Sequence, residues 1–148
     1  MIPFAAFPAA ATVFAPLREK VLNLEAHARE MPQIEPPTNH YFADGMYCRE
    51  LIHPAGVLIV GKVHRKEHFF IVTKGCVDVV MDDWVRTLTE GAVLVSSPGT
   101  KRALFSLDGA TYMTVHKTDK TDLDEIEAEL VESANSLFDA SNKLKALK

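Results

Sequence analysis

Long apolar runs are missing from this sequence, and so are the usual signatures of cofactor binding. No stretch of 18 consecutive apolar residues occurs, so no transmembrane helix is expected. The two cysteines, Cys48 and Cys76, form no CxxC pair and stand beside no histidine at ligand spacing, which leaves out a disulfide-stapled scaffold and a metal knuckle. Two reduced, half-buried thiols in a reducing compartment are the expectation, one bond between them the other option. There is no Gly-rich phosphate loop. Ser96 and Ser97 precede Pro98-Gly99 without a G-x-S-x-G nucleophile elbow. Basic residues number 16 against 20 acidic ones, a net charge of −4, so the footprint that nucleic acid or an anionic membrane requires is absent. No internal repeat or low-complexity tract appears.

What is present suits one soluble domain: 148 residues, 47% of them apolar, can bury a core. Residues 1–16 form an apolar arm. It has no Lys or Arg ahead of its apolar part, and Pro3, Pro8 and Pro16 interrupt any helix, so it does not read as a secretion signal. Ile2, Phe4, Phe7, Val13 and Phe14 need a surface to lie on, the protein's own core or a neighbouring subunit. Residues 17–40 comprise a helix and a Pro-rich connector. Leu17, Val21, Leu24, Ala28 and Met31 fall on one helical stripe across 17–31, and Pro32, Pro36 and Pro37 then impose extended chain.

Between 41 and 118 the pattern changes to short strands divided by turn residues, at 46–53, 57–63, 68–74, 76–81, 84–88, 92–96, 102–107 and 110–117. Val77, Val79 and Met81 alternate as a strand with one buried face should. The fold class is mainly β, a small antiparallel barrel or jelly roll with an N-terminal helix and a long C-terminal helix. That last helix, within 119–148, opens on a Thr121–Asp124 capping box. Leu123, Leu130, Leu137 and Leu144, with Ile126, Ser133, Ala140 and Leu147, trace an a/d seam. The seam serves either self-association as a coiled coil or folding back on the barrel.

The residues from 56 to 75 read Gly56, five residues, Lys62-x-His64, three residues, His68, six residues, Gly75. A second run reads Gly91, five residues, Ser97-x-Gly99, two residues, Arg102, three residues, Ser106. In spacing the two resemble the paired motifs of the cupin superfamily over roughly 46–117. The resemblance implies a barrel whose four metal-ligand positions are here Lys62, His64, His68 and Arg102. Two cations stand where ligands belong, and neither donates a lone pair while charged. His64, His68 and Glu67 are the remaining candidate metal ligands, and the degenerate set argues against a metal-dependent enzyme; no cofactor is expected. Lys62 and Arg102 suit an anionic ligand such as a carboxylate or phosphate. The alternatives for His64 and His68 are structural hydrogen bonding at the barrel mouth or an isomerase or dioxygenase site on a small acid.

His64-Arg65-Lys66-Glu67-His68 also spells H-x-x-E-H, but that protease spacing works on a helix. In one extended strand the two His would stand roughly 13 Å apart, and only a turn at Arg65-Lys66 brings them together. His40, His53 and His116 read as surface or structural, and Trp84 as capping a hairpin. Finally, Gly61–His64, Ser97–Arg102 and the block from Thr114 to Glu129 are similar to a group of cupin-domain proteins encoded by tailed bacteriophages. That resemblance implies a non-catalytic structural or interaction subunit of a virion or its assembly, a homo-oligomer with virion or assembly partners, in the host cytoplasm or the particle and not secreted.

Overall fold

The computed structural model describes residues 17–81 and 84–132. Among these, the elements run α1 (Leu17–Arg29), β1 (Thr38–Ala43), β2 (Met46–His53), β3 (Val57–Val60), β4 (His68–Val80), β5 (Val85–Thr89), β6 (Val93–Ser96), β7 (Ala103–Ser106), β8 (Ala110–Lys117) and α2 (Leu123–Leu130). The strands form one curled antiparallel sheet in the order β1-β2-β8-β4-β7-β3, with β5 and β6 also pairing to β4.

β4 belongs to both halves of the curl. Its first part pairs with β8 and β6, and its second part with β5 and β7. Sequence reading divides this element at Lys74-Gly75. The chain instead passes through as one strand, shifting register between Val72 and Lys74, because a bulge turns a strand without ending it. The expected alternation holds beyond the bend, where Val77, Val79 and Met81 are buried with Phe70, Val72 and Leu104 in the main core. Cys76 lies outside that rhythm and is exposed, whereas Cys48 is half-buried; both are free thiols.

Two elements differ from expectation. β1 occupies the end of what reads as a connector: Thr38–Ala43 has little apolar alternation, but it hairpins onto β2 through Asp44-Gly45. Among the described residues the C-terminal helix is short. α2 begins with Asp122, one residue after the anticipated cap, whose carboxylate accepts the Asp124 and Glu125 amides. It ends at Leu130, because Val131 turns extended and bridges His64. Ile126 and Leu130 of the anticipated seam are buried with Tyr47 of the barrel. This stretch therefore folds back on its own domain, while Leu137 and Leu144 lie outside the described residues, as do residues 1–16.

α1 packs along β3 and buries Val21. Glu25 on the same helix meets Lys101 at 2.9 Å, both nearly buried. Lys101 and Arg102 are neighbours in an extended segment, so their side chains leave on opposite sides. Lys101 goes out to the helix and Arg102 goes into the barrel.

Candidate functional site

The inward register of the first half-sheet assembles the site. Tyr47, Arg49, Leu51 and His53 alternate inward on β2, and their cross-strand partners on β8 are His116, Thr114, Tyr112 and Ala110. All of these but His53 and Ala110 line, with residues of β3, the segment after it and α2, a cavity of about 390 Å3. Leu51, Ile59, Phe70 and Leu104 give it apolar walls, and Ile126 and Leu130 of α2 form its roof.

That roof is tied down along one rim. The Arg65 amide donates to the Leu130 carbonyl at 2.7 Å and the Glu132 amide to the Val63 carbonyl at 2.9 Å. Lys66 pairs with Glu129 at 2.8 Å, and Lys62 pairs with Glu127. Lys62 thus stands at the cavity edge with its ammonium on the helix. Both partners are about half exposed, so Lys62→Ala is expected to change stability by less than about 1 kcal/mol in urea unfolding.

Three imidazoles come together beneath the rim. β3 ends at Val60 and β4 starts at His68, so the bend at Arg65-Lys66 brings His64 back over His68 with ring centres 4.5 Å apart. His116 stacks on both, at 5.1 Å from His64 and 4.6 Å from His68. Burial is the main cause that pushes His64 and His116 down to about 3, with His68 and Arg102 adding in each case. His68 moves the same way, again mainly by burial. All three are neutral at pH 7.

Arg102 is the charge among them. It is 5% exposed, its guanidinium carbon lies 4.9 Å from the centre of the Phe70 ring, and burial brings it down to about 10, so it stays protonated. Its Nη2 donates to His68 Nε2 at 2.8 Å. His68 Nδ1 therefore carries the proton and donates to the Lys66 carbonyl at 3.1 Å. Arg102 Nη1 and His64 Nδ1 are buried without hydrogen-bond partners among the described residues.

Several polar groups in and beside the cavity are already committed. His53 Nε2 donates to the Val57 carbonyl at 2.7 Å, which leaves its Nδ1 to accept the Tyr112 hydroxyl at 3.1 Å. Tyr47 O meets His40 Nδ1 at 2.6 Å. Among the described residues Nη1 of Arg102 is a buried donor left unspent, and Arg49 also lines the cavity.

This arrangement does not fit a divalent cation. Of the four positions that match the cupin ligand set, Lys62 is held by Glu127 and Arg102 puts a guanidinium inside. Both nitrogens of His68 are engaged, and Glu67 is exposed. The rings stack rather than aim their lone pairs at one point, and among the described residues no group of three or more His, Cys, Asp or Glu is placed to hold a metal. His116, which reads from sequence as surface or structural, and Arg49, which sequence does not single out, both enter the site. The signal was the period-two register: His116 shares the face of Tyr112, and Arg49 that of Leu51.

No family model matches the sequence, and no curated protein does either. Solved structures do resemble the fold. The plu4264 protein of Photorhabdus luminescens is 10% identical, with a TM-score of 0.53 over 66% of this chain and 88% of that one. KdgF from Halomonas sp. is 14% identical, with a TM-score of 0.51 over 64% of this chain and 90% of that one. A cupin 2 conserved barrel domain protein from Salinispora arenicola is 15% identical, with a TM-score of 0.50 over 62% and 84%. At such identities the likeness speaks for architecture alone: the chain has the antiparallel barrel fold of cupin-domain proteins.

Proposed function

We propose that this protein is a binding module whose barrel takes a small organic anion on Arg102. The observation that carries this reading is the buried guanidinium with an unpartnered Nη1 in the cavity wall. A buried charge without its full set of partners is costly. The carboxylate that lines the cavity, Glu127, is on Lys62. A carboxylate or phosphate oxygen supplies what Arg102 lacks, and the apolar walls favour a carboxylate with a hydrocarbon body. The neutral imidazoles of His64 and His116 then line the anion's surroundings without competing for it. The virion or assembly role rests on the resemblance of the 114–129 block and gains nothing from the cavity.

The test is thermal unfolding with acetate, benzoate, succinate and phosphate, against chloride at equal ionic strength. A carboxylate at about 100 times its Kd stabilises by about 2.7 kcal/mol, which is roughly 5–10 °C for a chain of this size. Arg102→Gln, which keeps a donor for His68, is expected to abolish the rise. A rise that survives in Arg102→Gln, or no rise with any of the four anions, would overturn the reading.

A further inference from the structure

A second arginine faces the same cavity. Cross-strand register sets Arg49 of β2, Thr114 of β8 and Phe70 of β4 in one row, and all three line the cavity wall. Two strand spacings put the ends of that row about 10 Å apart. The Arg102 guanidinium rests on the Phe70 ring at one end, and Arg49 holds the other. Arg102 is buried whereas Arg49 is exposed, so the first lies inside and the second at the mouth. Burial raises Tyr47 and Tyr112 and lowers His116; the Arg49 charge reaches all three, opposing burial at the tyrosines and reinforcing it at the histidine. Lys62, Lys66, Lys101 and Lys120 each meet a glutamate. Among the described residues no such pair engages Arg49 or Arg102.

We propose that the ligand is a dicarboxylate, with one acid group on Arg102, the other on Arg49 and its hydrocarbon spacer between them along Phe70. This names the ligand class for the anion-binding reading and rests on it. Two like charges repel each other across the cavity, and a diacid between them makes both interactions attractive. Each guanidinium offers a fork of donors that matches a carboxylate. The reach of the Arg49 side chain shortens the span between the row's ends, so an acid of about four to six carbons, succinate to adipate, bridges it. A monoacid of equal length satisfies Arg102 and leaves Arg49 to water. Because Arg49 is exposed, solvent competes for it, and its contact adds about tenfold to affinity rather than the larger gain of a buried pair.

The test is isothermal titration calorimetry of the full-length chain at pH 7 and fixed ionic strength, with succinate, glutarate and adipate against butyrate, valerate and hexanoate. In wild type, at least one diacid is expected to bind about tenfold more tightly than the monoacid of its length. Arg49→Gln is expected to bring that ratio to about one, and Arg49→Lys, which keeps the charge without the fork, to an intermediate value. The pair of variants, each checked by circular dichroism, keeps the test informative should one fail to fold. Equal binding of diacids and monoacids by wild type overturns the inference and leaves the anion on Arg102 standing. No binding of any of the six acids overturns the anion reading itself, and the inference with it. A preference for diacids that is undiminished in the folded Arg49 variants also overturns the inference, and places the second acid group on another residue.

Discussion

Gly75→Ala is expected to cost the fold more than about 3 kcal/mol, and to leave much of the protein insoluble. Gly75 sits at φ +76°, where β4 crosses from one half of the curl to the other opposite Ala110. A Cβ built there would stand 2.6 Å from the Gly109 carbonyl oxygen and 3.1 Å from the Ala110 Cα. Both obstacles are backbone, so no rotamer relieves the clash. Gly56 provides the control. Its φ is +74°, but nothing lies within 4 Å of the position a Cβ would take. Gly56→Ala should therefore show the conformational cost alone, about 1 kcal/mol. Urea unfolding of the two variants separates strain from collision, and equal losses would refute the collision.

Acidification is the second large effect. His64 and His116 are held near 3 in the folded protein, against an ordinary value of 6.5. Above pH 6.5 both are neutral whether folded or not, and they make no pH-dependent contribution. As the pH falls below 6.5 the unfolded chain takes up their protons and the folded one does not, so stability falls with pH until about 3. At pH 5 the loss is about 2 kcal/mol for each ring, or about 4 for the pair. His68 and His53, both lowered mainly by burial, push the same way. The charged groups around the stack are Arg102, Arg49 and Glu127, and Arg102, held at about 10, keeps its charge throughout this range. A melting temperature that drops steeply from pH 7 to pH 5, and does so less in His64→Gln/His116→Gln, is the expected result. A flat profile would mean that the rings are reached by water.

The barrel was readable in the sequence because its evidence is local: alternating apolar residues, turn residues at short intervals, and glycines where φ is positive. Gly75 illustrates why motif spacing carried so far, since the crossing it permits leaves room for no side chain. The metal-ligand expectation on His64, His68 and Glu67 was read from one segment. The segment does fold so that the two imidazoles meet, but Glu67 follows the bend outward, and the third ring comes from β8, some fifty residues away in the chain. Lys62 and Arg102 look equivalent as cations in the motif. Only tertiary structure separates them, by setting Glu127 of α2 beside the first and the cavity beside the second. Periodicity carries less far at Leu123 and Leu130. Their seven-residue spacing suggested one continuous helix, whereas Val131 takes an extended conformation to bridge His64, a contact invisible to periodicity.

The topology also bears on how the chain is made. β4 meets β5 and β6 within a short length of chain, so those pairings form as soon as they are synthesised. β2 must wait for β8. About sixty residues separate them, and at roughly 5–20 residues per second β2 has no partner on that side for about 3–12 s. Leu51 and His53 are open to solvent and to chaperones during that interval. A chain that ends before Ala110 thus has β2 paired with β1 on one edge and bare on the other, and the arrival of β8 joins that hairpin to β4 and closes the barrel.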